Sequence, residues 1–331
     1  MKYRLIITSS AAIAATIAWA VVVPVNGGSL DFSLLYPGAS VETAFPSCNT
    51  TTSSGLTTVT PPTPGENCNI QPDEQTVSIY RLALCTSKPS APTISAASSI
   101  SACNFIFTST SITGSPVSIV LNETAALTNG AITKPANGTY THLYLEIDPE
   151  VKIKSVVKFT TAMGDSNGES SGVYCWSTLA TTYNFSMNTQ GSFPLATVCG
   201  NSTPVTTDVA ATSSLYNSLM DDSQNGGTGF TNAFVNLPTT AGGPGTLDAY
   251  LIGTDGKLVT TQTVNTIGSV KRIAAFMTLP SPGVVVTDAS TSFVLGYNNT
   301  KGAQVSTQSS VTPSRVSKFG NGPFDMTVTV N

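Results

Sequence analysis

The chain is short of charge. Asp, Glu, Lys and Arg make up only 10% of its 331 residues, where a soluble domain ordinarily carries about 25%. It has a single histidine, His142, so general acid/base pairs are hard to assemble and an enzyme is not expected. No two cysteines stand at the C-x2-4-C spacing of a zinc site, and one histidine cannot complete the usual ligand sets. No metal or other cofactor is therefore expected. The net charge of -4 leaves no basic footprint, which argues against a nucleic-acid partner. Beyond the N-terminal stretch there is no apolar run long enough to cross a bilayer as a helix.

Hydrophobic residues supply 40% of the chain, enough for a packed core, so scarcity of charge does not imply disorder. Ser and Thr carry the polarity, at roughly a quarter of positions. The first residues read as an export signal. Lys2 and Arg4 precede an apolar stretch, and Ala18-Trp19-Ala20 supplies a small-x-small cleavage site, so residues 1–20 are expected to be a signal peptide. The alternative is an uncleaved anchor, since the apolar run to Val25 nears the ~20 residues of a membrane span. The expected location is secreted, extracellular or cell-surface, with no membrane contact after cleavage.

Six cysteines, Cys48, Cys68, Cys85, Cys103, Cys175 and Cys199, suit up to three disulfides in an exported chain. Fifteen connectivities are open, of which pairing between sequence neighbours is the simplest; each such bridge would close a loop of roughly 20 residues, worth about 3 kcal/mol. Six N-x-S/T sequons, at Asn49, Asn122, Asn137, Asn184, Asn201 and Asn298, mark candidate N-glycosylation sites. A chain this rich in Ser and Thr generates sequons by composition alone, and the leader is what gives them meaning.

Two-residue alternation dominates the local pattern, as in Phe324–Val330, His142–Asp148 and 151–154. Asp255-Gly256 predicts a tight hairpin between 249–252 and 257–259. A second hairpin is expected from 104–107 through Gly114-Ser115-Pro116 to 117–121. Residues 284–286 and 293–295 read as buried strands. Helix signals are confined to residues 213–222, and the Ser/Thr/Pro-rich stretch 50–64 reads as an exposed loop or an O-glycosylated stretch. Many short strands between Gly, Pro and Asn turns predict an all-β fold, an antiparallel β-sandwich of Ig-like or jelly-roll-like type. The body should run over residues 37–331, with a candidate sub-boundary near residue 205 where cysteines cease.

Several constellations invite chemistry. Gly164-Asp165-Ser166-Asn167 superficially resembles the GDS block of SGNH-type hydrolases, but the only histidine lies upstream, and a serine without a base is a weak nucleophile; a polar turn is expected. Asp165, Asn167 and Glu169, and Asp221 and Asp222 near Asn225, offer oxygen ligands of the kind calcium takes, without EF-hand spacing. Tyr174 and Trp176 flank Cys175, where core packing against a disulfide is expected; the alternative is a pair of exposed rings that stack on sugars. His142 alternates against Leu143 and Leu145 and should lie on a strand surface. Lys152, Lys154 and Lys158 are candidate isopeptide lysines that spacing cannot test.

The expected mature terminus is unusual. Val21, Val22, Val23 and Val25, then Leu30, Phe32 and Leu34, form an apolar, strand-patterned segment over residues 21–36, where termini are normally polar and frayed. It forms either the first strand of its own domain or a donor strand that completes a neighbour's sheet. In this layout the chain resembles exported β-sandwich filament subunits of the archaeal thread, archaeal bundling-pilus and TasA groups. The resemblance implies a head-to-tail homopolymer of copies of itself, joined by donor-strand complementation; covalent glycans are expected separately, from the sequons and the leader. The alternative is a cell-surface adhesin or carbohydrate-binding module, with a surface-layer or viral coat protein behind it. With few carboxylates to titrate, stability should depend little on pH.

Overall fold

A computed structural model of the chain describes residues 20–24, 47–53, 56–63, 67–120, 124–166, 168–178, 197–215, 233–238, 246–259, 270–298, 302–308, 313–321 and 325–331. In chain order its strands are β1 (Ala20–Pro24), β2 (Thr50–Ser53), β3 (Leu56–Val59), β4 (Asn67–Ile70), β5 (Glu74–Cys85), β6 (Cys103–Ser109), β7 (Ser115–Val120), β8 (Thr124–Ala126), β9 (Gly130–Ile132), β10 (Gly138–Tyr140), β11 (His142–Lys154) and β12 (Val156–Gly164). They continue as β13 (Ser171–Ser177), β14 (Thr197–Gly200), β15 (Thr212–Leu215), β16 (Ala233–Pro238), β17 (Thr246–Ile252), β18 (Arg272–Thr278), β19 (Val284–Val286), β20 (Ser292–Asn298), β21 (Ala303–Gln308), β22 (Arg315–Asn321) and β23 (Asp325–Val330). The protein is all-β, a sandwich of mostly antiparallel sheets.

The largest sheet has nine strands and is built on β5 and β11, which run antiparallel for their whole lengths. Their alternation decides its two faces. Leu82, Leu84, Leu143, Leu145, Ile147, Val151 and Ile153 point inward to the main core. Ala83, Cys85 and Tyr144 point outward to a second cluster with Tyr250, Ile252, Ala274 and Phe276. An eight-stranded sheet, a four-stranded sheet and the β10–β19 ribbon complete the body, and Phe159, Phe293, Val305 and Phe319 from them join the main core. Strands from before and after residue 205 share both larger sheets.

Four local expectations are corrected. Strands β6 and β7 do not form a hairpin with each other; both pair with β5, end to end, β6 against 81–85 and β7 against 74–79. A twelve-residue strand offers room for two partners in line, so the turn at Gly114 (φ +76°) shifts the chain sideways without reversing it. Residues 213–215, expected to be helical, belong to β15, paired with β11; 216–222 lie outside the described residues. The stretch 50–64 is not only loop. Thr-rich β2 and β3 make a hairpin whose second strand runs parallel to β12, because Thr is a good strand former whatever the complexity of its neighbourhood. In β19 Val285 is half exposed, so that strand is not fully buried. At Asp255-Gly256 the expected tight turn is present: Gly256 has φ +73° and Val259 N–H donates to Leu251 O at 3.0 Å.

Three disulfides join Cys48 to Cys68, Cys85 to Cys103 and Cys175 to Cys199, the neighbour pairing. The second and third link residues directly opposite each other on adjacent strands, β5–β6 and β13–β14. They fit an exported protein. No helix among the described residues is long and apolar enough to cross a membrane.

Candidate functional site

The N-terminal strand occupies a slot in the four-stranded sheet, whose order is β23-β20-β1-β8. On one side it runs parallel to β20, with Ala20, Val21 and Val22 opposite Ser292, Phe293 and Val294. On the other it runs antiparallel to β8, with Val22, Val23 and Pro24 opposite Ala126, Ala125 and Thr124. Pro24 ends the strand, where its missing N–H costs least.

The walls of this slot belong to the body. Phe293 and Leu295 of β20 are buried in the main core, and so is Leu127 just after β8. Strand β20 is also held on its far side by β23, over six register pairs from Phe293–Val330 to Asn298–Asp325. Strand β8 has no ladder other than β1 among the described residues. Without β1, the edge of β20 at 292–294 would lose its ladder and β8 would have no ladder partner among the described residues. Unpaired strand edges template pairing with another chain.

The parallel β1–β20 pair joins segments from the two ends of the chain. A parallel pair cannot be made by a tight turn and always needs a long connection. Pro24 is also separated from Ser47, the next described residue, by 22 residues, a contour of roughly 70 Å at full extension. Of the expected donor-strand residues, Val21, Val22 and Val23 lie in β1, while Val25, Leu30, Phe32 and Leu34 fall outside the described residues.

A second constellation, missed in the sequence, lies on the outer face of the nine-stranded sheet. Glu146 on β11 is 3% exposed, yet it is a carboxylate. Arg272 of β18 reaches its Oε2 at 2.8 Å, and Arg81 of β5 reaches Oε1 at 3.4 Å. The Tyr144 hydroxyl donates to Oε1 as well. Tyr80 donates to Asp148 Oδ2 at 2.8 Å while the Arg272 guanidinium stacks 4.3 Å over its ring. Beside it, Lys88 Nζ meets the buried Asp248 at 2.6 Å, and Tyr250 donates to the same carboxylate at 3.4 Å. Phe276 sits between the Tyr144 and Tyr250 rings, at 5.5 and 5.2 Å between centroids.

This geometry has a visible local cause. Ile147 pairs with Ile79 and Glu146 with Arg81, so Tyr80 is an extra residue bulged onto the face Arg81 occupies. On β11 the register also shifts between Ile147 and Val151, around Pro149, which cannot donate to a ladder. Burial, then the hydrogen bond to Asp148, pushes the Tyr80 phenol up to about 12. Burial, then the Asp248 charge, takes Tyr250 to about 12 as well, and burial beside Glu146 raises Tyr144 further. The phenols are thus held as hydrogen-bond donors, and the arginines offset the carboxylates. The arrangement fastens four strands together across a face.

The remaining candidates are scattered. His142 is half-buried on that same outer face, its Nδ1 2.9 Å from Thr141 Oγ1; burial, then Lys88, lowers its pKa. Asp165 and Ser166 belong to the other large sheet, at the end of β12. Asp165 is buried, which alone would raise its pKa. Donors to its carboxylate, the Ser170 hydroxyl and the amides of Glu169, Gly168 and Ser170, outweigh that and hold the carboxyl low. Those oxygens pin a turn. Ser166 is fixed through its own N–H to Thr197 Oγ1 at 3.0 Å. Among the described residues no group of three or more His, Cys, Asp or Glu could hold a metal ion; Asn167, Asp221, Asp222 and Asn225 fall outside them.

Tyr174 and Trp176 do not pack in the core with Cys175. Neighbours on a strand face opposite ways, so the buried disulfide leaves both rings outward. Lys158 lies 5.5 Å over the Tyr174 ring, and Trp176 packs over Gly200. Lys152 is exposed and Lys154 and Lys158 are partly so. Of the sequons, Asn49, Asn137 and Asn201 are exposed. Asn122 and Asn184 fall outside the described residues, and of Asn298 only the backbone, in β20, is described.

No protein-family model, no curated protein and no solved structure matches the chain.

Proposed function

We propose that the chain is a secreted structural subunit of an extracellular filament, joined to its neighbours by exchange of β1. The observation that carries this reading is the slot: β1 is held by backbone ladders on both sides, between walls supplied by β20 and β8, which lie far from it in the chain. Delivered to the next subunit's slot, the same strand would make the same ladders. The contact is heterologous, so repetition does not close and gives a fibre. Scarce charge and three disulfides suit a durable exterior material, and exposed sequons are available for glycans.

The strand's own slot competes. Docking into its own slot is intramolecular and so is not weakened by dilution as a contact with a second subunit is; a self-docked monomer is therefore the expected form at dilution, and filament contacts beyond β1 must add to the exchange. Deleting residues 21–36 tests the reading. Electron microscopy should show fibres for the intact mature protein and none for the deletion, whose body stays folded by circular dichroism. Fibres that persist in the deletion would falsify strand exchange.

A further inference from the structure

The leader's cleavage point and the start of β1 coincide. The small-x-small pattern places the scissile bond between Ala20 and Val21. In the folded body both residues are inside the ladder with β20, opposite Ser292 and Phe293, and the next residue, Val22, is paired on both sides. An endopeptidase needs the backbone around its bond released from such pairing, so cleavage of a docked site proceeds only through local opening.

We infer that leader removal and docking of β1 exclude each other, and that the leader peptidase therefore acts before the strand enters any slot. The precursor's strand is also the stronger one. It makes three register pairs with β20, and cleavage removes the Ala20–Ser292 pair and leaves two. A precursor that folds before processing is locked with its leader attached; a processed chain holds its own slot more weakly and is freer to exchange. Processing then sets when the strand becomes available. The inference rests on the strand reading above for its consequence, though the exclusion itself requires only that β1 docks.

The test uses the full-length precursor, folded in detergent, and a soluble leader-peptidase catalytic domain. A synthetic peptide of residues 10–30 gives the rate for an open site. The folded precursor should be cleaved slower than the peptide by about tenfold or more, the factor for an opening cost of about 1.4 kcal/mol. Val22→Pro, which removes an amide from between the two ladders, and Ala126→Pro, which weakens the β8 wall away from the bond, should each recover most of the peptide's rate. Cleavage of the wild-type precursor at the peptide's rate would overturn the inference. So would protection that survives both substitutions, since it would then come from elsewhere. Fibre growth is scored separately on the mature protein: a protected precursor with a mature protein that never polymerises sinks the filament reading alone, and an unprotected precursor with a polymerising mature protein sinks the exclusion alone.

Discussion

In the nine-stranded sheet, β5 and β11 face each other over ten register pairs, apolar clusters cover both faces, and Cys85–Cys103 staples the neighbouring strand. In the four-stranded sheet, β1 makes only three register pairs on each side. The first region is held by side chains and covalent bonds that cannot be supplied from outside. The second is completed by a backbone ladder, which another copy of the same strand can supply equally well. If the chain polymerises as proposed, it needs both kinds of holding, kept apart.

The sharpest ways to break this contrast act on the body. Replacing Cys175 and Cys199 with Ser removes a staple between β13 and β14; its loop length predicts a loss of about 3–4 kcal/mol, read as a lower denaturant midpoint, with a steeper slope because the unlinked denatured chain is less compact. Glu146→Ala leaves Arg81 and Arg272 without their carboxylate. Buried pairs broken from one side cost about 3–5 kcal/mol, and the lower end applies because the arginine side chains are 39% and 25% exposed. Deleting residues 21–24 should cost less, about 2 kcal/mol for a short ladder at the usual net value of a hydrogen bond. If the deletion destabilises the body more than Glu146→Ala does, the strand is part of the body and the contrast fails.

Solution pH sharpens the comparison at smaller amplitude. Tyr80 and Tyr250 titrate near 12 in the folded chain against an ordinary 10.0. Between these values the unfolded chain has lost protons that the native chain keeps, so stability is full below about pH 10 and falls as pH rises toward 12. Melting temperatures of the double substitution Tyr80→Phe and Tyr250→Phe should decline less steeply over that range. The acid side is weaker still. With its pKa lowered chiefly by burial, and then by Lys88, His142 takes up a proton more readily in the unfolded chain. Stability is therefore complete above about pH 6.5 and falls below it. With one histidine, the decrease should be a few degrees at most, and His142→Gln should flatten it.

The sequence made much of the fold class legible because its signals are local. Alternation in 142–148 assigns Leu143 and Leu145 to one face and His142, Tyr144 and Glu146 to the other, and the structure keeps that division. Illegible were the partners. Arg81 and Arg272 are 65 and 126 residues from Glu146 and meet it only because β5 and β11 pair and β18 flanks them. Pro149 sits at the register break in β11, and nothing local announces that Tyr80 bulges onto the same face. The misread hairpin between β6 and β7 has the same origin. Two adjacent strands with a Gly turn look like a reversal until the long third strand that holds both is known. The slot itself joins residues 20–24, 124–126 and 292–294, a juxtaposition no window of sequence contains.

A single cross-link addresses the exchange of β1 most directly. Val22 and Ala126 are opposite each other across β1 and β8, so the pair Val22→Cys and Ala126→Cys can form a disulfide wherever those strands meet. In fibres of the mature protein, oxidised and run on a non-reducing gel, strand exchange predicts a ladder of covalent multimers that collapses to monomer on reduction. Fibres whose cross-link stays wholly within single chains would contradict it.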